Sequence, residues 1–212
     1  IPILLQLRAP PAGSAGQAAG GGRSLVQILR DPRYVLAVSA GVVSYGLMAL
    51  LMTGAPLAMV DHGHSVGEAA LGIQWHLLAM FGPSFVTGRL MARFGKERIT
   101  AVGLVLIALS AMIGLSGMGV AHFWLTLIVL GVGWNFGFIG ATAMITDCHS
   151  EAERAKAQGA NDFFVFAATA AVSFLAGAVL NTGGWTMLNW MIFPPVLLIL
   201  APLVWRTARR PG

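Results

Sequence analysis

Cysteine is almost missing. Cys148 is the one thiol in 212 residues, which excludes a disulfide framework and a cysteine metal cluster. Charge is scarce as well. Asp, Glu, Lys and Arg make up 10% of the chain, against about 25% in soluble domains. A soluble fold of this length exposes more surface than so few charges cover. An ordinary cytosolic enzyme, a disordered chain and a nucleic-acid module are thereby excluded. Acid is scarcer than base, 8 residues against 13, so the placement of the basic residues matters more than the net charge of +5. No Gly-x-Ser-x-Gly elbow occurs and the histidines are scattered, which argues against a Ser-His-Asp hydrolase. Asp61-His62-Gly63-His64 has the residue types of a zinc site. No further ligand follows, so it reads as a solvated turn, and neither a metal nor a cofactor is expected.

What the sequence does have is apolar length: 57% of it is hydrophobic. Four stretches contain no Asp, Glu, Lys or Arg: 34–60, 69–88, 99–146 and 163–205. One crossing of the hydrocarbon core takes about 20 helical residues. The first two stretches make one helix each. The last two are long enough for two each, and each has a breaker near its middle, Ser116-Gly117-Met118-Gly119 and Asn181-Thr182-Gly183-Gly184. The pattern predicts an all-α membrane protein with six transmembrane helices at 34–60, 69–91, 99–117, 121–146, 160–181 and 185–205. Ten-residue alternation of the β-barrel kind is absent.

Alternating the loops between two sides puts all 13 basic residues on one of them, in 8–33, 89–98, 147–159 and 206–212. The other side holds Asp61, Glu68, His62 and His64. The positive-inside rule makes the basic side cytoplasmic. The expectation is a multi-pass protein of the plasma (inner) membrane with both ends cytoplasmic. The domain reading follows. Residues 1–8 are the end of a preceding helix or a frayed apolar terminus. Residues 9–33 are a cytoplasmic central linker, Gly- and Ala-rich to position 24 and then amphipathic at Leu25-Val26-Gln27-Ile28-Leu29. Residues 34–205 are the six-helix domain, and 206–212 a basic cytoplasmic tail.

Two loops carry a resemblance. Gly88-Arg89-Leu90-Met91-Ala92-Arg93-Phe94-Gly95-Lys96 resembles the loop signature of the major facilitator superfamily at Gly88, Arg93, Gly95 and Lys96, with Ala92 where an acid is expected. Ser150-Glu151-Ala152-Glu153-Arg154-Ala155-Lys156 resembles the acidic-then-basic segment that follows the fourth helix of each half. With six helices behind a basic linker, the chain resembles the carboxy-terminal half of such a transporter. The resemblance implies a half bundle of 3+3 inverted repeats, 34–117 and 121–205, and alternating access about a midplane site. It also implies a small solute as substrate, a proton gradient as energy source, the lipid bilayer as surroundings and an amino-terminal six-helix half as partner. A membrane accessory or assembly protein of the same fold is the alternative. Arg93 and Asp147 are the expected latch of the inner gate, and Arg154 belongs to the same loop machinery.

Polar groups at membrane depth are costly and mark candidate sites. On the second helix Gln74 and His76 stand about 200° apart, so one faces the cavity and the other a neighbouring helix. His76 is a proton-coupling group or a hydrogen-bonded packing histidine. On the fourth helix Asn135, Thr142 and Thr146 share a face at ideal helical spacing, with Trp134 beside it. Asn135 is a substrate contact or a helix–helix hydrogen bond. Gly133 and Gly137 form a Gly-x-x-x-Gly packing pair. Tyr45 offers a ring and a hydroxyl to a ligand or to packing. Asp162 is read at the start of the fifth helix, as a dipole-stabilised acid or a proton relay. No buried Arg or Lys is available to clamp an anion, which favours neutral, amphiphilic or cationic solutes.

Overall fold

The computed structural model describes residues 22–208. Residues 1–8, the Gly-rich linker up to 21 and the tail beyond 208 lie outside them. The described residues are helical in the order α1 (Leu25–Leu29), α2 (Pro32–Asp61), α3 (Val66–Phe81), α4 (Ser84–Phe94), α5 (Lys96–Leu115), α6 (Val120–Trp134), a π turn (Asn135–Ile139), α7 (Gly140–Ile145), α8 (Arg154–Trp190) and α9 (Phe193–Ala208).

Local chemistry sets the boundaries. Asp31 caps α2 by accepting from the Arg33 N–H at 2.9 Å, with Pro32 at the first helical position. Ser65 and Glu68 form a capping box at the start of α3, and Ser24 and Gln27 one at α1. Gly95 joins α4 to α5 at φ 90°, a backbone that favours glycine, as the loop reading expects.

Four segments are long and apolar enough to cross a membrane among the described residues: Pro32–Asp61, Lys96–Leu115, Val120–Ile145 and Glu151–Ala208. α3 and α4 pass together as a pair bent by 41°. The bend falls at Gly82-Pro83, where proline has no N–H to continue the ladder. The 58-residue segment Glu151–Ala208 is close to three times the length one crossing needs. Gly184 breaks it at φ 67°, ψ −170°, inside the expected breaker. The two sides of that break run in opposite directions. Tyr34 at the start of α2 donates to the Ala157 carbonyl at 2.6 Å, and Trp185 just past the break donates to the Gly114 carbonyl at the end of α5, at 2.9 Å. Arg206 returns beside Phe94, Gly95 and Arg98. The fold is an all-α bundle of six spans.

One expected boundary is corrected. The fifth helix begins at Arg154, not near 160. Ser150 caps the turn before it, and Arg154, Lys156 and Gln158 continue the helix beyond the apolar stretch, because charge ends a membrane core without ending a helix. Asp162 therefore stands eight residues, about 12 Å, inside its helix and not on its amino-terminal dipole.

Helices in lipid gain nothing from expelling water between them, so close packing and hydrogen bonds hold them. α2 runs through the middle, against α3, α6, α7, α8 and α9. α5 crosses α6 where Gly103 meets the backbone of Gly133 and Gly137; a Cβ on Gly103 would sit 2.6 Å from Gly137 Cα and 2.7 Å from Gly133 O. The Gly-x-x-x-Gly pair is thus a backbone-to-backbone crossing. Ion pairs collect at one end of the bundle, Lys96 with Asp147 and Arg23 with Glu153 and Asp31. The far end is tied by neutral contacts: Trp124 donates to the Glu68 carbonyl at 2.9 Å, and a His64 ring nitrogen lies 2.7 Å from the Met118 carbonyl.

Candidate functional site

Near the middle of the bundle four spans contribute aromatic rings to one cluster. Tyr45 of α2 lies edge-on to Trp134 at 5.7 Å, to Phe138 at 5.0 Å and to Phe166 of α8 at 6.3 Å. Trp134 and Phe138 stack at 5.2 Å with planes 19° apart. Phe81, at the end of α3, meets Trp134 at 6.1 Å. Edge-to-face pairs of this geometry add about 0.5–1.5 kcal/mol each beyond burial. The Trp134 indole N–H is buried and has no hydrogen-bond partner within the described residues. Tyr45 is half-buried and Phe166 exposed. The cluster is thus a preformed apolar platform with one unmet donor.

The π turn explains how Trp134 and Asn135 part company. Five residues, Asn135–Ile139, make one widened turn, and such turns recur at functional sites. Asn135 is fully buried and faces the α3–α4 break. Its amide donates to the Met80 carbonyl and to Ser84 Oγ, both at 2.7 Å, and its oxygen accepts from Thr87 Oγ1 at 2.6 Å. It clamps the Pro83 bend, and both donor hydrogens are used. The expected polar stripe of Asn135, Thr142 and Thr146 does not survive, because the extra residue in the wide turn rotates the segments relative to each other. Thr142 is half-buried and donates to the Phe138 carbonyl at 2.9 Å, and Thr146 is exposed.

His76 is fully buried against α6, with Nδ1 2.7 Å from the Leu127 carbonyl and no partner on Nε2. Gln74 is exposed. Of the pair, His76 is the one that faces a neighbouring helix.

The loop residues are rearranged relative to expectation. Asp147 pairs with Lys96, whose Nζ lies 2.7 Å from Oδ1 and donates to the Ala143 carbonyl at 2.9 Å. Arg93 instead lies over the Phe94 ring at 5.2 Å. The reason is geometric: Gly95 turns the chain, and Lys96 is the first residue of the helix that lies against α7. Gly88 is exposed, with open space around it. Arg154 makes an exposed pair with Glu151 at 3.2 Å, worth little in water. The better-enclosed ion pair at this end is a different one, between the buried Glu153 and the exposed Arg23. Arg23 donates to Glu153 Oε1 from Nε at 3.0 Å and from its backbone N–H at 2.7 Å, and to the Cys148 carbonyl at 2.5 Å. The Arg23 guanidinium, joined by the Ser150 N–H, holds the Glu153 carboxyl well below the usual carboxylate range. Sequence reasoning counted both residues as loop charges; the Ser150-x-x-Glu153 capping pattern was the available signal.

His62 and His64 point to the Ala58 and Met118 carbonyls. Among the described residues no group of three or more His, Cys, Asp or Glu could hold a metal ion.

The sequence model of the major facilitator superfamily matches residues 4–212. The chain belongs to the major facilitator superfamily. It is 61% identical over 207 residues to a riboflavin transporter, RfnT, of Brucella anthropi, covering 97% of this chain and 52% of that protein. It is 32% identical over 177 residues to YdeG, an uncharacterized transporter of this type from Bacillus subtilis, covering 82% of this chain and 41% of the relative. A multidrug resistance protein of Klebsiella pneumoniae, MdtL, matches at 23% over 58% of the chain and 32% of its own length. The chain spans about half the length, or less, of the curated relatives it matches. Superfamily membership makes this a membrane-embedded portion of a transporter family and not an enzyme.

Proposed function

We propose that the protein containing this chain is a secondary transporter of riboflavin, working by alternating access, with this chain supplying one wall of the cavity. The observation that carries the reading is the 61% identity to a riboflavin transporter over nearly the whole chain. The aromatic platform fits that cargo. A flavin ring is flat, neutral and large, and stacking on aromatic side chains suits it better than a charged clamp does. Tyr45, Trp134 and Thr142 are the ligand-side residues in this reading, with Phe138 and Phe166; Gln74 belongs to the exposed face of α3. Asn135 and His76 are structural. The ligand-facing wall opposite is supplied by an amino-terminal six-helix half, and the whole sits in the plasma membrane with its basic end in the cytoplasm. A proton gradient is the energy source, as for many secondary transporters of this architecture.

The test is riboflavin uptake into proteoliposomes by the full-length protein, with and without an imposed pH gradient. Saturable accumulation that follows the gradient and rises tenfold in KM with Trp134→Ala is expected. Uptake no greater than in protein-free liposomes overturns the reading, and favours an accessory protein of the same fold.

A further inference from the structure

Resting on the riboflavin reading, we propose that Asp162, held by Asn161, recognises the hydroxylated side chain of the flavin and excludes flavins that carry a phosphate.

Asp162 is an exposed carboxylate about 12 Å inside α8 from Arg154, at the point where the charge-free stretch 163–205 begins. Its side of the helix is identified by its neighbours. Phe166 lies one turn further along the same side and contacts the Tyr45 ring. Thr169 and Ser173 continue that side at helical spacing. The opposite side of α8, with Phe164, Ala167 and Ala168, lines an apolar groove against Leu198 and Ile199. Asp162 therefore stands on the face that carries the aromatic cluster, one turn, about 6 Å, toward the basic end. A short polyol chain attached to a ring on the cluster reaches that distance.

Asn161 supplies the second, independent observation. It is 2% exposed, and its Oδ1 is buried with no partner. Its Nδ2 donates to Asp162 Oδ1 at 3.1 Å, which turns the carboxylate and leaves the other oxygen open. The Asn161 oxygen faces the space left by the missing side chain of Gly41, where an added Cβ would lie 3.8 Å from it and 3.9 Å from Phe138. Two acceptors, one charged and one unmet, thus sit beside the ring platform. Hydroxyl groups donate to the open oxygen of Asp162. A phosphate has two negative charges and few protons to offer, so it meets repulsion at the same point. Asp162 is the recognition group and Asn161 its positioning residue.

The experiment is competition against labelled riboflavin uptake by the full-length protein in proteoliposomes. The competitors are unlabelled riboflavin, riboflavin 5′-phosphate and lumiflavin, which has the ring without the polyol. For the wild type, riboflavin competes at least tenfold better than either of the others. Asp162→Asn raises the riboflavin KM several-fold, strengthens competition by the phosphate at least tenfold and leaves lumiflavin unchanged. Asn161→Ala shifts the phosphate-to-riboflavin ratio in the same direction. If Asp162→Asn fails to reach the membrane, Asp162→Glu keeps the charge: it retains phosphate exclusion with an altered riboflavin KM. Riboflavin uptake with an unchanged competitor ranking in Asp162→Asn, or phosphate acceptance by Asp162→Glu, overturns this inference and leaves the flavin reading standing. A wild type that takes up no riboflavin overturns both.

Discussion

Replacing Asn135 by alanine separates a structural clamp from a ligand contact. The change removes two donated bonds at 2.7 Å and one accepted bond at 2.6 Å. Hydrogen bonds between membrane helices are worth about 0.6 kcal/mol on average and about 1.7 at most, so three together are worth about 2–5 kcal/mol. Two features favour the lower half of that range. Thr87 keeps its bond to the Pro83 carbonyl at 2.8 Å, and Ser84 is exposed and can turn to other partners. The Met80 carbonyl is the group left without its donor. A loss of about 2–3 kcal/mol lowers Tm by about 4–12 °C when the half bundle is the unfolding unit. Thermal unfolding of the full-length protein in detergent, read beside the riboflavin KM, is the assay. The expected result is a lower Tm with KM within threefold of wild type. An unchanged Tm with a tenfold higher KM refutes the clamp and returns Asn135 to the ligand.

Gly103→Leu forces α5 and α6 apart by about 1 Å, because its Cβ meets backbone at 2.6 and 2.7 Å; a cost of about 1–3 kcal/mol or more shows as a lower Tm, while Gly88→Ala, in open space, leaves Tm within about 1 °C. Cys148 is 8% exposed and burial pushes its thiol pKa up, so alkylation followed by mass spectrometry is slow at pH 7–8; Arg23→Ala and Lys96→Ala speed it at least fivefold and Arg93→Ala does not. Glu153 has its pKa lowered on folding, so its contribution is complete above the unfolded value of about 4.3 and fades only as pH falls below it. Tm measured from pH 8 down to pH 3 should show a constant deficit for Glu153→Gln above about pH 5 that shrinks at lower pH; a deficit that changes between pH 6 and 8 contradicts the assignment.

Much of the bundle was legible because lipid imposes a simple rule: apolar length is crossing number. The Gly183-Gly184 breaker and the turn at Gly95 were readable, since both depend on backbone freedom that one residue type supplies. Other features depend on tertiary context. The π turn at Asn135–Ile139 adds one residue to a turn, and nothing local in Asn-Phe-Gly-Phe-Ile signals it; the Asn135 clamp on the Pro83 break is its companion. The start of α8 was misjudged because Arg154 and Lys156 end the apolar stretch, yet the helix continues into water. Lys96 takes the place expected for Arg93 because reach across a turn is set by the direction of the new helix. The aromatic cluster was half visible, in Tyr45 and Trp134. Phe138 and Phe166 join it from positions that look like ordinary lipid-facing phenylalanines.

Flavin fluorescence tests the central claim most directly, because stacking on Trp and Tyr rings quenches it. Titrating riboflavin with the full-length protein in detergent should give saturable quenching that Trp134→Ala and Tyr45→Ala each weaken at least tenfold in apparent Kd, while Gln74→Ala leaves it unchanged. Riboflavin fluorescence that stays constant across the titration, or quenching indifferent to Trp134 and Tyr45, contradicts a flavin site on this aromatic platform.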